Sequence, residues 1–282
     1  MKISNYIDVL NIPFSVKLPN DKSLERSVQM YILVGEQLAL IDTGVAGSEK
    51  VIFDYIESIG RKPKEIKHIL LTHTHPDHIG AVSAIKEATG AKVYVHAAEQ
   101  AWLEDTEKQY AERPVGGFHE LVGGSCKADQ VLHDGEVLHL CHNLTLKAIH
   151  SPGHSAGSVS YLLQQENALF TGDAIPVKGD IPIYDDWAQS LASLEKLENL
   201  PFPAFVLPAW DSPKTGKDAE EVFSHGFDML YDVHQAFCEA KDEVGLADMQ
   251  AVAASMITKL QLPAQSMNPL FIRSVMSHLK VR

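Results

Sequence analysis

The sequence predicts a layered α/β fold, and three observations carry the prediction. Short β-favouring runs alternate with helical patterns early in the chain; three more short runs, "LTLKAI", "SVSYLL" and "ALFTG", follow a glycine-containing insertion; and an amphipathic stretch then leads into a further strand, "AFVL". Alternation of this kind builds sheets covered by helices. At 282 residues and 45% hydrophobic composition, the chain can bury a full core as one large domain, or as a domain with an appendage.

Residues 30–43, "MYILVGEQLALIDT", read as strand, turn and strand around "GEQ". A helix over residues 48–59 ends at Gly60. "IKHILLTH" has the composition of a short buried strand, and "IGAVSAIKEATG" spaces Ile79, Val82 and Ile85 along one helical face before Gly90. "KVYVHA" returns as a strand. Residues 101–128, with Gly116, Gly117, Gly123 and Gly124, read as an irregular insertion of the kind that covers a site. Beyond the three central strands, "DDWAQSLASLEKLENL" sets Trp187, Leu191, Leu194 and Leu197 on one helical face. Composition changes near Ser212, dividing the chain into a main domain, residues 1–212, and a helical extension, residues 213–282. Breaks fall at Gly245 and around Pro263, and Asn268 caps a last helix with Pro269 in its first turn. The extension serves either as a packing appendage or as a lid or homodimer contact that shapes a pocket.

The formal charge of −13 and pI near 5.5 argue against a broad surface for nucleic acid or anionic membranes. No apolar run approaches the ~20 residues of a membrane span. Asp8 and Asn11 interrupt the start where a signal peptide would be apolar, so a cytoplasmic location is expected. Cys126, Cys141 and Cys238 form no paired pattern, which points to ordinary buried thiols.

"LTHTHPDHIG" crowds His73, His75, Asp77 and His78 into six residues. Side chains two apart on an extended segment share a face, so His73 and His75 can grip one ion together. Pro76 suits a helix start, which displaces Asp77 and His78 by part of a turn and makes a second, adjacent site possible. Exposed loop histidines beside a capping aspartate are the bland alternative. Four ligand types on one strand-to-helix turn favour the ion, and imidazole with carboxylate suits zinc, iron or manganese. The absence of cysteine argues against a closed structural zinc site.

Two distant stretches complete a pattern: "SPGHSAGS" supplies His154 and "TGDA" supplies Asp173. With "HTHPDH" and the early "IDTG", the ordered set over residues 25–211 resembles the metallo-β-lactamase superfamily of hydrolases. The resemblance implies an αββα sandwich with a metal site at one edge. It implies that His73, His75 and His154 hold a first ion, that Asp77 and His78 belong to a second, and that Asp173 bridges them. It gives Asp42 of "DTG" a supporting role. Relatives usually carry a last histidine after a strand resembling "VLPGHG"; this chain reads "FVLPAWDSP", with Trp210 over the ligand position. An indole cannot bind metal. Asp211, the next residue, is left either as a replacement oxygen ligand or as a turn cap before Pro213.

The expected activity is hydrolysis of an ester-like bond in a small-molecule substrate, with a thioester or lactone the first expectation, through one or two divalent ions, zinc before iron or manganese. Such an ion lowers the pKa of water toward ~7 and supplies hydroxide. Asp77 is the candidate to orient or deprotonate that water, and Tyr184 the candidate to donate a hydrogen bond to the substrate oxygen. The alternatives are a mononuclear iron enzyme resembling persulfide dioxygenases and a metal-stabilised sensor without turnover.

Overall fold

In the computed structural model, which describes residues 1–17 and 23–280, two six-stranded sheets lie face to face between two helical layers. The first sheet runs in chain order: β1 (Ile7–Lys17), β2 (Ser23–Val34), β3 (Leu38–Ile41), β4 (Ile66–Leu70), β5 (Lys92–His96) and β6 (Gln130–Leu132). Its first three strands are antiparallel and the pairs from β3 to β6 are parallel. The second sheet comprises β7 (Val137–Cys141), β8 (Leu144–His150), β9 (Val159–Leu163), β10 (Ala168–Gly172), β11 (Phe205–Pro208) and β12 (Lys214–Thr215). Only its β10–β11 pair is parallel.

The two-residue period of a strand explains the layering. In β2, Tyr31 and Leu33 join the core between the sheets, whereas Met30 and Ile32 face the helices; β3 repeats this with Ala39 and Ile41 against Leu38 and Leu40. Strands buried on both faces read as continuous apolar runs, which is why "MYILV" and "LALI" stand out in the sequence.

The layer over the first sheet contains α1 (Ser48–Ser58), α2 (Pro76–Ile79), α3 (Val82–Thr89), α4 (Ala97–Glu104), α5 (Thr106–Glu112) and α6 (Phe118–Leu121). The second sheet is covered by α7 (Trp187–Glu198), α8 (Gly216–Val244), α9 (Met249–Lys259) and α10 (Pro269–Ser277). Phe223, Leu230, Phe237, Val252 and Phe271 of the extension share one apolar cluster with Leu169, Val206, Leu194 and Leu197. Asn268 caps α10 by accepting from the Leu270 and Phe271 amides. The three cysteines are free thiols.

Two expectations are corrected. Residues 101–128 are not irregular: they carry the end of α4 and all of α5 and α6, and the Asp105 side chain caps α5 by accepting from the Lys108 amide. These helices are too short to show a clear period. The long β1–β2 hairpin also escapes a reading that begins at residue 30, although Leu10, Ile12, Phe14 and Val16 alternate with polar residues and Pro13 as a half-buried strand does.

Strand direction places the site. β3 and β4 run parallel, so both end at one edge; β8, β10 and β11 share a direction in the facing sheet. The ends are stitched together: the Val159 amide donates to Thr72 O at 2.7 Å, the Tyr161 hydroxyl to Leu71 O at 2.7 Å and the Gln29 amide to Ala209 O at 2.7 Å.

Gly80 lies where three backbones converge at that edge, its amide donating to Gly44 O at 2.8 Å and its carbonyl accepting from the Gly123 amide at 2.9 Å. A Cβ there would stand 2.3 Å from Ala46 N and 2.4 Å from Leu121 O. Backbone cannot step aside as a flexible side chain can, so Gly80→Ala should cost about 3 kcal/mol or more, the upper end of overpacking penalties. Chemical denaturation checks this, and a loss below about 1 kcal/mol would contradict the three-backbone contact.

Candidate metal centre

The residues after β4 turn their imidazoles inward. His73 and His75 are 1% and 3% exposed, and His154, from the loop after β8, approaches from the other sheet. His75 Nδ1 lies 3.0 Å from His73 Nε2 and 2.8 Å from His154 Nε2. Their other contacts fix the tautomers. The Thr72 hydroxyl donates to Asp42 Oδ2 at 2.7 Å, so its oxygen accepts from His73 Nδ1–H at 3.1 Å, leaving a lone pair on His73 Nε2. His154 Nδ1–H donates to Ile183 O at 2.8 Å, leaving a lone pair on His154 Nε2. At most one proton can lie among the three converging nitrogens, so a single N–H on His75 would have to serve two lone pairs at once, and without it both contacts set lone pair against lone pair. A cation relieves that repulsion.

A second group shares His73. His78 Nδ1–H donates to Asp42 Oδ2 at 2.8 Å, directing Nε2 toward Asp77 Oδ2 at 3.3 Å and Asp173 Oδ1 at 3.4 Å. Asp173 stands between the groups, its Oδ2 3.3 Å from His154 Nε2 and 3.8 Å from His73 Nε2. Two sets, His73–His75–His154 and His73–His78–Asp173, each bring three ligand atoms within 4.8 Å of one another. His78 Nε2, Asp77 Oδ2 and Asp173 Oδ1 are buried without a hydrogen-bond partner. Such orphans are rare in a folded protein, and the donor set fits a divalent ion.

Burial holds His73 and His75 well below the usual histidine range, and lowers His154 as well, so all three stay neutral as ligands must. At His78 burial also disfavours the charged form, but Asp173, Asp77 and Asp42 outweigh it and raise the pKa. Burial alone would raise Asp173; the imidazoles of His78 and His154 hold its carboxyl well below the ordinary carboxylate range.

Supporting residues include one that the sequence suggested and others it did not. Asp42 has a left-handed backbone, φ +61°, and its carboxylate gathers the Thr72 amide, the Thr72 hydroxyl and His78. Glu99, 1% exposed in α4, accepts from the Thr74 amide and hydroxyl with one oxygen and from the Ser155 hydroxyl and Gly157 amide with the other. It thereby fastens the His73–His75 loop to the His154 loop. Gly157 allows this approach, since a Cβ would stand 2.5 Å from Glu99 Cγ. The one sequence signal for Glu99 is its i,i+4 spacing from buried Leu103, which puts a carboxylate on the inner face of α4.

Two candidates stand apart from the cluster. The Asp211 carboxylate pairs with Lys214 at 2.9 Å and accepts from the Ser212 amide at 2.6 Å, so it caps the turn into β12 instead of completing a second metal site. The Tyr184 hydroxyl is buried against His278 Nε2 at 2.9 Å, engaged with the end of the extension and not free for a substrate oxygen. Its position at the entrance to α7 made the two roles indistinguishable in sequence.

Trp210 takes the place left by the missing histidine. Its indole N–H donates to Asp173 Oδ2 at 3.1 Å, while its ring meets Phe14 edge-on and carries the Arg26 guanidinium at 5.5 Å. A hydrogen-bond donor thus faces the carboxylate that would join two ions, and among the described residues the second group consists of His73, His78 and Asp173 with Asp77 beside it. Restoring the ligand by Trp210→His should tighten binding of a second ion by at least about tenfold without displacing the first. Native mass spectrometry across a zinc titration reads this directly; unchanged stoichiometry and affinity would show that Trp210 does not limit the second site.

Comparison with known proteins agrees with the geometry. A family model described as the metallo-beta-lactamase superfamily matches residues 24–209. The chain is 30% identical over 228 residues to the Bacillus subtilis protein YobT, covering 78% of this chain and 85% of that one. It is 29% identical over 164 residues to an atrochrysone carboxyl ACP thioesterase of Aspergillus terreus, covering 57% of this chain and 43% of the thioesterase. Among solved structures, a metallo-beta-lactamase family protein from Thermus thermophilus shares the fold with a TM-score of 0.70 at 20% identity, over 96% of this chain and 91% of that one. The paired sheets, the edge-on cluster of three histidines and the matched residues make this chain a member of the metallo-beta-lactamase superfamily.

Proposed function

We propose that the protein is a divalent-metal hydrolase that cleaves an ester-like bond, a thioester or a lactone, in a small-molecule substrate. The observation that carries this reading is the convergence of imidazole lone pairs beside Asp77 and Asp173 at the wall of one cavity of about 480 Å³. The thioesterase among the relatives supports an acyl thioester as the bond attacked.

His73, His75 and His154 would hold the ion, with zinc the first expectation from the nitrogen-rich set. When bound, a divalent ion supplies Lewis acidity toward a carbonyl oxygen and makes water acidic enough to attack at neutral pH. The chain's own groups do the rest. Asp77 lines the cavity beside His78 and is placed to orient a water and accept its proton. Asp173, held by Trp210, fixes the negative wall beside the three imidazoles. Phe14, Leu24, Ile181 and Leu270 line the cavity and receive an apolar acyl group.

Loss of a ligand should remove metal and turnover together. His73→Ala and His154→Ala should each lower metal content and hydrolysis of an acyl-thioester panel by about 100-fold or more. Chelation should abolish activity, and added zinc or manganese should restore it with no uptake of oxygen. Full turnover after chelation would overturn the metal-hydrolase reading; oxygen uptake with a persulfide substrate would replace it with iron chemistry on a His, His, Asp set.

A further inference from the structure

The cavity over the cluster holds a cation with no counter-ion bonded to it among the described residues. Arg113 follows α5, its amide donating to Gln109 O at 2.8 Å, and it is only 5% exposed. Its Nε is buried with no partner, and among the described residues its guanidinium makes no hydrogen bond or ion pair. The carboxylates that most influence it, Asp185 and Asp77, are both turned elsewhere. Asp185 is gripped by Arg273 at 2.5 and 3.0 Å, and Asp77 faces His78 at 3.3 Å. Guanidinium stays charged under all ordinary conditions, so a buried one without a partner is a standing electrostatic cost.

Arg113 lines the same cavity as His75, Asp77, His154 and Asp173. The cavity's other arginine, Arg26, is already engaged, stacked on Trp210 and 3.6 Å from Asp180. The remaining walls are largely apolar, with Phe14, Val16, Leu24, Ile181 and Leu270 among them. One unpaired guanidinium in an apolar chamber balances one negative charge, and its planar fork matches a carboxylate.

We infer that Arg113 is a specificity residue that binds a carboxylate carried by the substrate away from the bond cleaved. The preferred substrate is therefore an acidic acyl ester or thioester with an apolar spacer. This rests on the hydrolase reading for the reaction, but not for the binding.

Matched N-acetylcysteamine thioesters of glutaric and butanoic acid test it, differing in the terminal carboxylate. The metal-loaded wild type should favour the glutaryl compound by at least about tenfold in kcat/KM, through KM, the size of effect a charge-assisted pair confers. Arg113→Met should bring that ratio near one, and Arg113→Lys should restore part of it. A preference that survives Arg113→Met, or one absent from the wild type, overturns the assignment.

If the wild type cleaves neither thioester, the thioester form of the hydrolase reading fails and calorimetry decides the binding claim alone. Adipamate should then bind wild type at least about tenfold more tightly than hexanamide, and lose that advantage in Arg113→Met. Equal binding of adipamate to both proteins would place the carboxylate elsewhere and overturn the inference. Tighter binding of 4-phosphonobutanamide than of adipamate would overturn the choice of carboxylate.

Discussion

Glu99 sets the distance between the two halves of the site. The sheets are separate hydrogen-bonded units joined at this edge by the Val159–Thr72, Tyr161–Leu71 and Gln29–Ala209 bonds, and Glu99 adds the link between the two ligand loops. This carboxylate spends both oxygens on backbone and hydroxyl donors from the loop after β4 and the loop after β8. A buried charge so fully satisfied is rigid, because any displacement leaves an ion without partners in a low-dielectric interior. His75 and His154 meet at 2.8 Å because this joint holds their loops in place. Asp42 acts likewise within the first sheet, joining the end of β3 to Thr72 and His78.

The site is consequently asymmetric. One side is a set of three neutral imidazoles, each steered by a hydrogen bond or by the cluster itself. The other has His78 between two carboxylates and lacks its usual final ligand, with Trp210 donating a proton where a lone pair would be needed. The same indole packs against Phe14 of β1 and under Arg26 of β2, so the hairpin that closes the cavity is tied to the carboxylate at its floor. Access and metal environment are linked through one side chain.

Much of this was legible in the sequence because the signals were local. The strand-to-helix turn at residues 71–80 carries four candidate ligands, Pro76 opens α2, and the continuous apolar runs "MYILV" and "LALI" mark strands buried on both faces. His154 and Asp173 were recognisable through short flanking motifs. What stayed hidden depends on contacts remote in the chain. Glu99 looks like any surface glutamate until Thr74, 25 residues away, and Ser155, 56 residues away, are brought to it. Arg113 follows a polar helix and precedes a proline, with nothing nearby to say that its side chain is buried. Asp211 and Tyr184 had two readings each, and only their partners Lys214 and His278 separate them.

Opposite the ligands His75, Asp77, His154 and Asp173, much of the cavity's wall comes from stretches of chain that contribute no metal ligand: the β1–β2 hairpin, the segment after α5 at residues 113–116, and residues 265–270 of the extension. On the proposed hydrolase reading, chemistry and selectivity are thus written in different parts of the gene. Drift or exchange in the wall segments can retune what enters without disturbing Asp42, Glu99 or the ligands they hold, whereas change at those two carboxylates would damage the centre for every substrate alike. A scaffold divided in this way can diversify its substrates while its reaction stays fixed.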